Sequence, residues 1–225
     1  FRDLFKYAKE LKADALITGH YVSRVHKNGH ANMYRAKDEK RDQSYFLFST
    51  LQEQLDYLRF PLGEIDKSET RLIAEKLELN VADKPDSQDI CFVPNGDYSS
   101  VIKKFRPESF KKGKILDIFG NDIGEHEGVI NYTIGQRKGI KISSDKPLYV
   151  VNINAENNTI IVGTKKSLEI KKIQLRDLNI LGNKEDFEKL IYIKVRSTGK
   201  LLKAKIILTK LDAMVEILDS ETGIS

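Results

Sequence analysis

Hydrophobic spacing at the start of the chain changes from a helical to a strand-like pattern. Apolar residues recur at helical spacing from Phe1 to Leu11, which predicts a first helix. The run from Ala13 to Thr18 is almost continuously apolar and ends at Gly19-His20, which is typical of a buried parallel strand. A helix followed by such a strand predicts an α/β arrangement for this part of the chain.

Two more helices and a long loop are predicted before residue 98. One helix should begin at Thr50, with Glu53 at the capping-box position. A second should begin at Asp66 and turn three apolar side chains inward: Leu72, Ile73 and Leu77. Residues 80–97 hold two prolines, four aspartates and the only cysteine, which predicts a long loop.

From Gly113 onward, short β-branched runs separated by turn residues predict a mostly β second half. The expected strands cover residues 115–119, 149–153, 159–162, 175–181, 190–195, 202–208 and 213–218. They suffice for a small barrel or sandwich after a hinge near residues 165–172. The fold class is therefore α/β plus β.

Composition narrows the class of protein. The chain has 225 residues, of which 40% are hydrophobic and 32% charged, as in soluble globular proteins. No apolar run approaches the roughly 18 residues of a membrane helix, so no membrane partner is expected. A single cysteine excludes an internal disulfide and a CxxC zinc site, which favours a reducing, cytoplasmic compartment and predicts no metal site.

Positive charge is concentrated in two stretches. Residues 103–114 and 194–205 each carry a net charge of +5, and the whole chain also sums to +5. Each stretch alone is as consistent with a solvated face as with a surface for a polyanion. Two such stretches in the β half favour the polyanion.

Three places carry candidate chemistry. Cys91 is either an inert buried thiol or a nucleophile, and at an ordinary pKa of about 8.5 only about 3% is ionised at neutral pH. Gly19 and His20 follow a parallel strand, where open α/β sheets bind ligands, although a turn glycine and a structural histidine need no ligand. Asp42 precedes an apolar stretch and could simply cap a helix.

Four motifs occur in a specific order along the chain. They are TGHY at 18–21, DQSYFL at 42–47, DSQDICF at 86–92, and a longer pattern from GKILD at 113–117 through GEH at 124–126 to YTIGQRKG at 132–139. Together they resemble the tRNA-specific 2-thiouridylases of the MnmA family. The resemblance implies a PP-loop (adenine nucleotide hydrolase-like) α/β domain, a central mostly β domain and an incomplete C-terminal β-barrel.

The family resemblance also implies an activity. Members of this family use ATP, with Mg²⁺, to adenylate the 2-oxygen of the wobble uridine in tRNA, and a cysteine persulfide then delivers sulfur to C2. Cys91 matches a catalytic cysteine, and Gly19 matches a residue that contacts ATP. The implied partners are tRNA and a sulfur-donor protein of a persulfide relay.

The resemblance places tRNA contacts at two further points. His20 matches one contact, and Arg41, Asp42 and Gln43 match a tripeptide in which Arg41 replaces a lysine. In the last domain, alignment on Arg196-Ser197 places Lys194 and Val195 at an Arg-Tyr pair of the family, so a stacking surface is lost there. Lys194, Val195 and Arg196 are thus the expected contacts.

The match also sets expected boundaries and alternatives. Domains are expected at 1–97, 98–167 and 168–225. The SGGxDS phosphate loop and a first cysteine are expected upstream of Phe1, and further residues after Ser225, so this chain alone should not thiolate tRNA. A non-catalytic RNA-binding protein built from the same β domains is the main alternative, and a thiol redox protein is the third.

Overall fold

The computed structural model describes residues 1–80, 98–209 and 212–219. The helices are α1 (Arg2–Glu10), α2 (Gln52–Tyr57), α3 (Lys67–Lys76) and α4 (Tyr98–Phe105). The strands are β1 (Leu16–Ile17), β2 (Val22–Lys27), β3 (His30–Arg35), β4 (Leu58–Arg59), β5 (Gly113–Asp117), β6 (Asp122–His126), β7 (Tyr149–Asn154), β8 (Thr159–Gly163), β9 (Lys172–Leu175), β10 (Ile191–Ile193), β11 (Leu202–Leu208) and β12 (Ala213–Ile217). No described helix is long and apolar enough to cross a membrane.

The chain divides into two compact units. The first unit comprises residues 1–85 and 174–216, and the second comprises residues 86–173 and 217–225. The α/β plus β class is confirmed, because helices surround short strands in the first part and strands dominate from β5 onward. None of the sheets in the described residues closes into a barrel.

The first unit is built on a parallel strand pair and a hairpin. β1 pairs in parallel with β4, and β2 pairs with β3 in antiparallel register. The core lies between the hairpin and α2, and its most buried side chains are Val22, Ala31, Leu55 and Leu58. α2 begins one residue later than predicted, because the backbone N–H of Leu51 donates to Gln54 Oε1 at 3.0 Å.

Later strands form two four-stranded sheets, in the orders β6-β5-β8-β7 and β10-β11-β12-β9. The core of the second unit consists of Ile115, Ile140, Val150, Ile160 and Val162.

All three segments of the longest motif have structural roles in this second unit. His126 is 1% exposed, and its Nδ1 accepts from the backbone N–H of Gly128 at 3.0 Å while Nε2 lies 3.1 Å from the carbonyl oxygen of Asn158. The loop at 132–139 is tied to β7, since Gly135 N–H donates to Val150 O at 2.8 Å. A Cβ on Gly113 would lie 2.0 Å from Asn158 O, so the backbone approach requires glycine.

Some predicted burial is wrong. Leu72, Ile73 and Leu77 are 56%, 43% and 63% exposed, whereas Thr70 on the same helix faces the protein and its hydroxyl accepts from Tyr21 OH at 3.0 Å. The strand at 13–18 is parallel as predicted but reduced to Leu16–Ile17, and Ile17 is 67% exposed.

One predicted strand also ends early. The strand expected at 175–181 covers Lys172–Leu175, and the chain then leaves the sheet. Leu181 packs against the core of the first unit, which a continuing strand would not allow.

Candidate functional site

The structure gathers most predicted site residues into the first unit. Gly19, His20 and the tripeptide Arg41-Asp42-Gln43 come from its first segment, and Lys194-Val195-Arg196 come from its second. Cys91 lies outside the described residues. The predicted contacts from two distant parts of the sequence therefore belong to one compact body.

Asp42 is the most enclosed of these residues. Its side chain is 0% exposed. One carboxylate oxygen accepts from the backbone N–H groups of Ala36 and Ser44, at 3.1 and 3.3 Å, and the other accepts from the Ser44 hydroxyl at 2.9 Å. The interpretation as a helix cap is wrong, because the N-cap of the short helix Ser44–Leu47 is Gln43; Asp42 instead joins the end of β3 to the turn at Ser44.

Two cations flank this buried carboxylate. Lys194 Nζ lies 3.8 Å and Arg35 Nε 3.9 Å from Asp42 Oδ2, and their side chains are 19% and 39% exposed. Lys194 is thus largely enclosed beside Asp42. The solvated-face interpretation of the stretch at 194–205 therefore does not hold for this residue. The sequence predicted Asp42 and Lys194 separately, and the fold makes them partners.

The same residues line a cleft of about 510 Å³. Arg35 and Lys194 supply positive charge, and the other walls carry the half-buried Tyr45 and three exposed side chains: Phe48, Tyr192 and Leu201. Phe48 is 76% and Tyr192 is 58% exposed. Cations beside accessible rings are the combination with which proteins hold nucleotides, by ionic contact with phosphate and by stacking on bases.

The second segment also forms hydrogen bonds with the DQSYFL motif and with the residues that follow it. The Tyr45 hydroxyl donates to the carbonyl oxygen of Val195 at 3.3 Å. Asn179 Nδ2 donates to the carbonyl oxygens of Phe48 and Thr50, at 2.8 and 2.9 Å. Val195 therefore contributes its backbone carbonyl oxygen, and Arg196 is exposed beside it.

Gly19 and His20 lie at the carboxyl end of β1, as predicted. His20 Nδ1 hydrogen-bonds the Thr18 hydroxyl, and burial lowers the pKa of His20 below its usual value. The next residue, Tyr21, exchanges bonds with Gln43: Tyr21 N–H donates to Gln43 Oε1 and Gln43 N–H donates to Tyr21 O, both at 2.9 Å. These bonds fix the strand end against the tripeptide.

Gly19 itself has no structural need to be glycine. Its φ is not in the left-handed region, and a Cβ there would meet only Leu62 Cδ1, at an ordinary 3.8 Å. A bare backbone at the end of a parallel strand fits the approach of a flat base or a ribose.

Sequence reasoning missed the β2–β3 hairpin and therefore Arg35. The signal was Asn28-Gly29, a dipeptide typical of two-residue hairpin turns. Asn179 was also missed, and no sequence pattern marks it. Among the described residues, no group of three His, Cys, Asp or Glu side chains could hold a metal ion.

The chain is similar in sequence to two family models and to several curated proteins. Residues 1–95 match the family model described as tRNA methyl transferase HUP domain, and residues 99–164 match the one described as tRNA methyl transferase PRC-barrel domain. Similar curated proteins include tRNA-specific 2-thiouridylase MnmA of Rickettsia massiliae, 54% identical over 88% of this chain, and that of Methylorubrum extorquens, 51% identical over 100% of it. The protein of the same name from Rickettsia bellii is 49% identical over 100% of the chain.

The chain spans 55%, 60% and 62% of the length of these three relatives. Half of the aligned residues are identical, and both matched domain models occur in the expected order. The chain belongs to the family of tRNA-specific 2-thiouridylases.

Proposed function

We propose that the protein containing this chain is a tRNA 2-thiouridylase, a sulfurtransferase that moves persulfide sulfur to C2 of the wobble uridine at the expense of ATP. The observation that carries the proposal is the cleft in which Asp42, Lys194 and Arg35 meet beside accessible aromatic rings. The family models bear the words methyl transferase, but the curated relatives are thiouridylases at about 50% identity.

In this proposal the cleft receives tRNA. Arg35 and Lys194 attract phosphate, and Tyr45, Phe48 and Tyr192 offer faces to unstacked bases. Tyr192 lies two residues before Lys194. In this proposal it replaces the stacking surface of the tyrosine that the family carries directly after the position of Lys194. Asp42 acts through its partners, because an enclosed carboxylate that holds Lys194 and the turn after β3 positions them without touching RNA.

ATP is proposed to pack against the backbone of Gly19, at the end of β1. The bound nucleotide, with Mg²⁺, supplies the activation of the uracil 2-oxygen. His20 is the neighbouring tRNA contact, and burial lowers its pKa, which favours the neutral imidazole. A neutral imidazole serves as a hydrogen-bond donor or acceptor to a base and adds no charge.

Cys91 is proposed as the sulfur-carrying residue that receives its sulfur from a donor protein. The chain has one cysteine, whereas the resemblance implies two, so we propose that these 225 residues alone do not thiolate tRNA.

The finer assignments are proposed on the same basis. The domains are 1–97, 98–167 and 168–225, the four-stranded sheet containing β11 belongs to an incomplete C-terminal barrel, and the protein acts in the cytoplasm. The ends of the two matched family models, at residues 95, 99 and 164, support the first two boundaries.

The test uses the complete protein with tRNA, ATP and a persulfide donor, whose sulfane sulfur passes to Cys91 by thiol exchange, and measures 2-thiouridine by mass spectrometry of the nucleosides. Wild type should produce 2-thiouridine, and Cys91→Ser should abolish it while tRNA binding stays within about twofold, because a hydroxyl fills similar space but carries no sulfane sulfur. Thiolation by Cys91→Ser would remove the role of Cys91. Binding without any thiolation by the wild type would instead support the non-catalytic RNA-binding protein.

A further inference from the structure

A second cleft in the first unit lies on the outer face of the β2–β3 hairpin. Its volume is about 470 Å³. In the antiparallel register Lys27 pairs with His30, and alternate residues of β3 share a face. Lys27, His30, Asn32 and Tyr34 therefore line the cleft, while Ala31, on the opposite face, is 1% exposed in the core.

The turn at the end of this hairpin is rigid. Asn28 and Gly29 have φ of 54° and 83°, the two left-handed residues of a type I′ turn. Such a turn matches the twist of the flanking strands and fixes their register. Lys27 and His30 are thus held side by side before any ligand arrives.

Acidic groups near the cleft are already engaged by the protein. Asp56 Oδ1 accepts from Ala31 N–H at 2.6 Å and from Gln52 Nε2 at 3.1 Å, and Oδ2 lies 3.5 Å from His30 Nδ1. This contact orients the imidazole at the rim of the cleft. The Asp186 carboxylate, also at the cleft, is 2.8 Å from Lys189 Nζ.

The remaining lining identifies the ligand class. Tyr34 is 48% exposed. Ile180 and Leu181, from the second segment of the unit, form an apolar wall of the cleft. Asn32 and Asn183 add amide groups that can donate and accept. The accessible ring and the amides match the base of one nucleotide, and the Lys27 ammonium beside the His30 imidazole matches its phosphate. The volume of the cleft lies within the usual range of roughly 300–1,000 Å³ for small-ligand sites.

We propose that this cleft binds a nucleotide, with its phosphate at Lys27 and His30 and its base at Tyr34. The nucleotide is either free or one unit of an RNA strand, since the recognised chemistry is the same. The site is separate from the proposed tRNA cleft at Asp42 and Lys194, with which it shares no lining residue. Its test requires neither thiolation nor ATP.

The chain contains no tryptophan, so Tyr34→Trp creates a single fluorescent reporter inside the cleft. The matched control is Tyr7→Trp on α1, where Tyr7 is 64% exposed and lines none of the clefts described above. Uridine 5′-monophosphate should quench the tryptophan at position 34 saturably and leave that at position 7 with weak, linear quenching. Lys27→Ala in the reporter background should raise the apparent Kd about fivefold to tenfold, as expected for one charge-assisted contact, and Lys146→Ala in the second unit should not change it.

Two further measurements identify the source of the nucleotide and keep the test valid if a variant misfolds. If a single-stranded RNA hexamer binds more than tenfold tighter than the mononucleotide, the ligand is a strand, and equal affinity indicates a free nucleotide. In the unmutated chain, the NMR signal of the His30 imidazole should shift on addition of uridine 5′-monophosphate. Equal linear quenching at both reporters together with an unshifted His30 signal would overturn the proposal, whatever the thiolation assay shows.

Discussion

Removing the carboxylate of Asp42 should destabilise the first unit strongly. Asp42→Ala leaves the backbone N–H groups of Ala36 and Ser44 without their acceptor, at about 1–3 kcal/mol for a fully buried donor and less for a half-buried one. It also leaves Lys194 largely enclosed without its counter-charge. We expect a loss of about 3–5 kcal/mol in the free energy of unfolding of the first unit.

The contribution of the ion pair can be isolated from that of the hydrogen bonds. At 3.8 Å and an effective dielectric constant near 20, the attraction of Lys194 to Asp42 is about 4 kcal/mol before desolvation, so we expect about 1–2 kcal/mol net. Lys194→Met should therefore cost about 1–2 kcal/mol. Combined with Asp42→Asn, it should cost about 1 kcal/mol less than the sum of the two single variants.

The matched control is Lys37→Met. Lys37 Nζ lies 3.9 Å from Asp66 Oδ2, almost the same distance, but both side chains are about half exposed, at 52% and 51%. Solvent screening should limit its cost to about 0.5 kcal/mol or less.

The assay is urea unfolding followed by NMR signals of β3 amides, because a chain of two units need not unfold in one step. With a slope of about 1–3 kcal/mol per molar urea, the loss in Asp42→Ala shifts the midpoint by about 1 M or more. If Lys194→Met behaves like Lys37→Met and the double variant is additive, the enclosed pair contributes nothing and the cleft needs another explanation.

Three further predictions concern other residues. Gly19→Ala should change the free energy of unfolding by no more than about 0.5 kcal/mol but weaken ATP binding by the complete protein, measured by isothermal titration. The control is Gly63→Ala, which should lower the melting temperature markedly because its Cβ would lie 2.0 Å from Val22 O. By NMR, the imidazole of His20 should titrate below pH 6.5, because burial lowers its pKa in the folded protein. The stability that the neutral imidazole allows is present above the unfolded pKa, and the free energy of unfolding falls as the pH drops through that value towards the lowered folded pKa. His20→Gln should reduce this loss of stability in acid. Lys103→Ala with Lys104→Ala should flatten the log–log salt dependence of tRNA binding by about 1.4–1.8 units if both contact phosphate, and an unchanged slope would make that helix a solvated face.

Local patterns were enough for the elements whose signals are local. The strand at 202–208 has the predicted bounds, and those at 149–154 and 159–163 differ by one residue each, because alternation and turn residues act over a few positions. The parallel character of β1 also followed from its apolar run. The order of the four motifs along the chain is by itself enough to indicate the family.

Tertiary structure alone decided burial and partnership. Nothing in the sequence around Leu72 shows that this side chain stays exposed while Thr70 contacts Tyr21, which lies 49 positions away. Asp42 and Lys194 are 152 positions apart, and their pairing needs the return of the second segment to the first unit. Sequence by itself determined the elements and the family, because those depend on neighbouring residues and on motif order; only the fold decided which charges are enclosed, because burial depends on contacts between residues far apart in the chain.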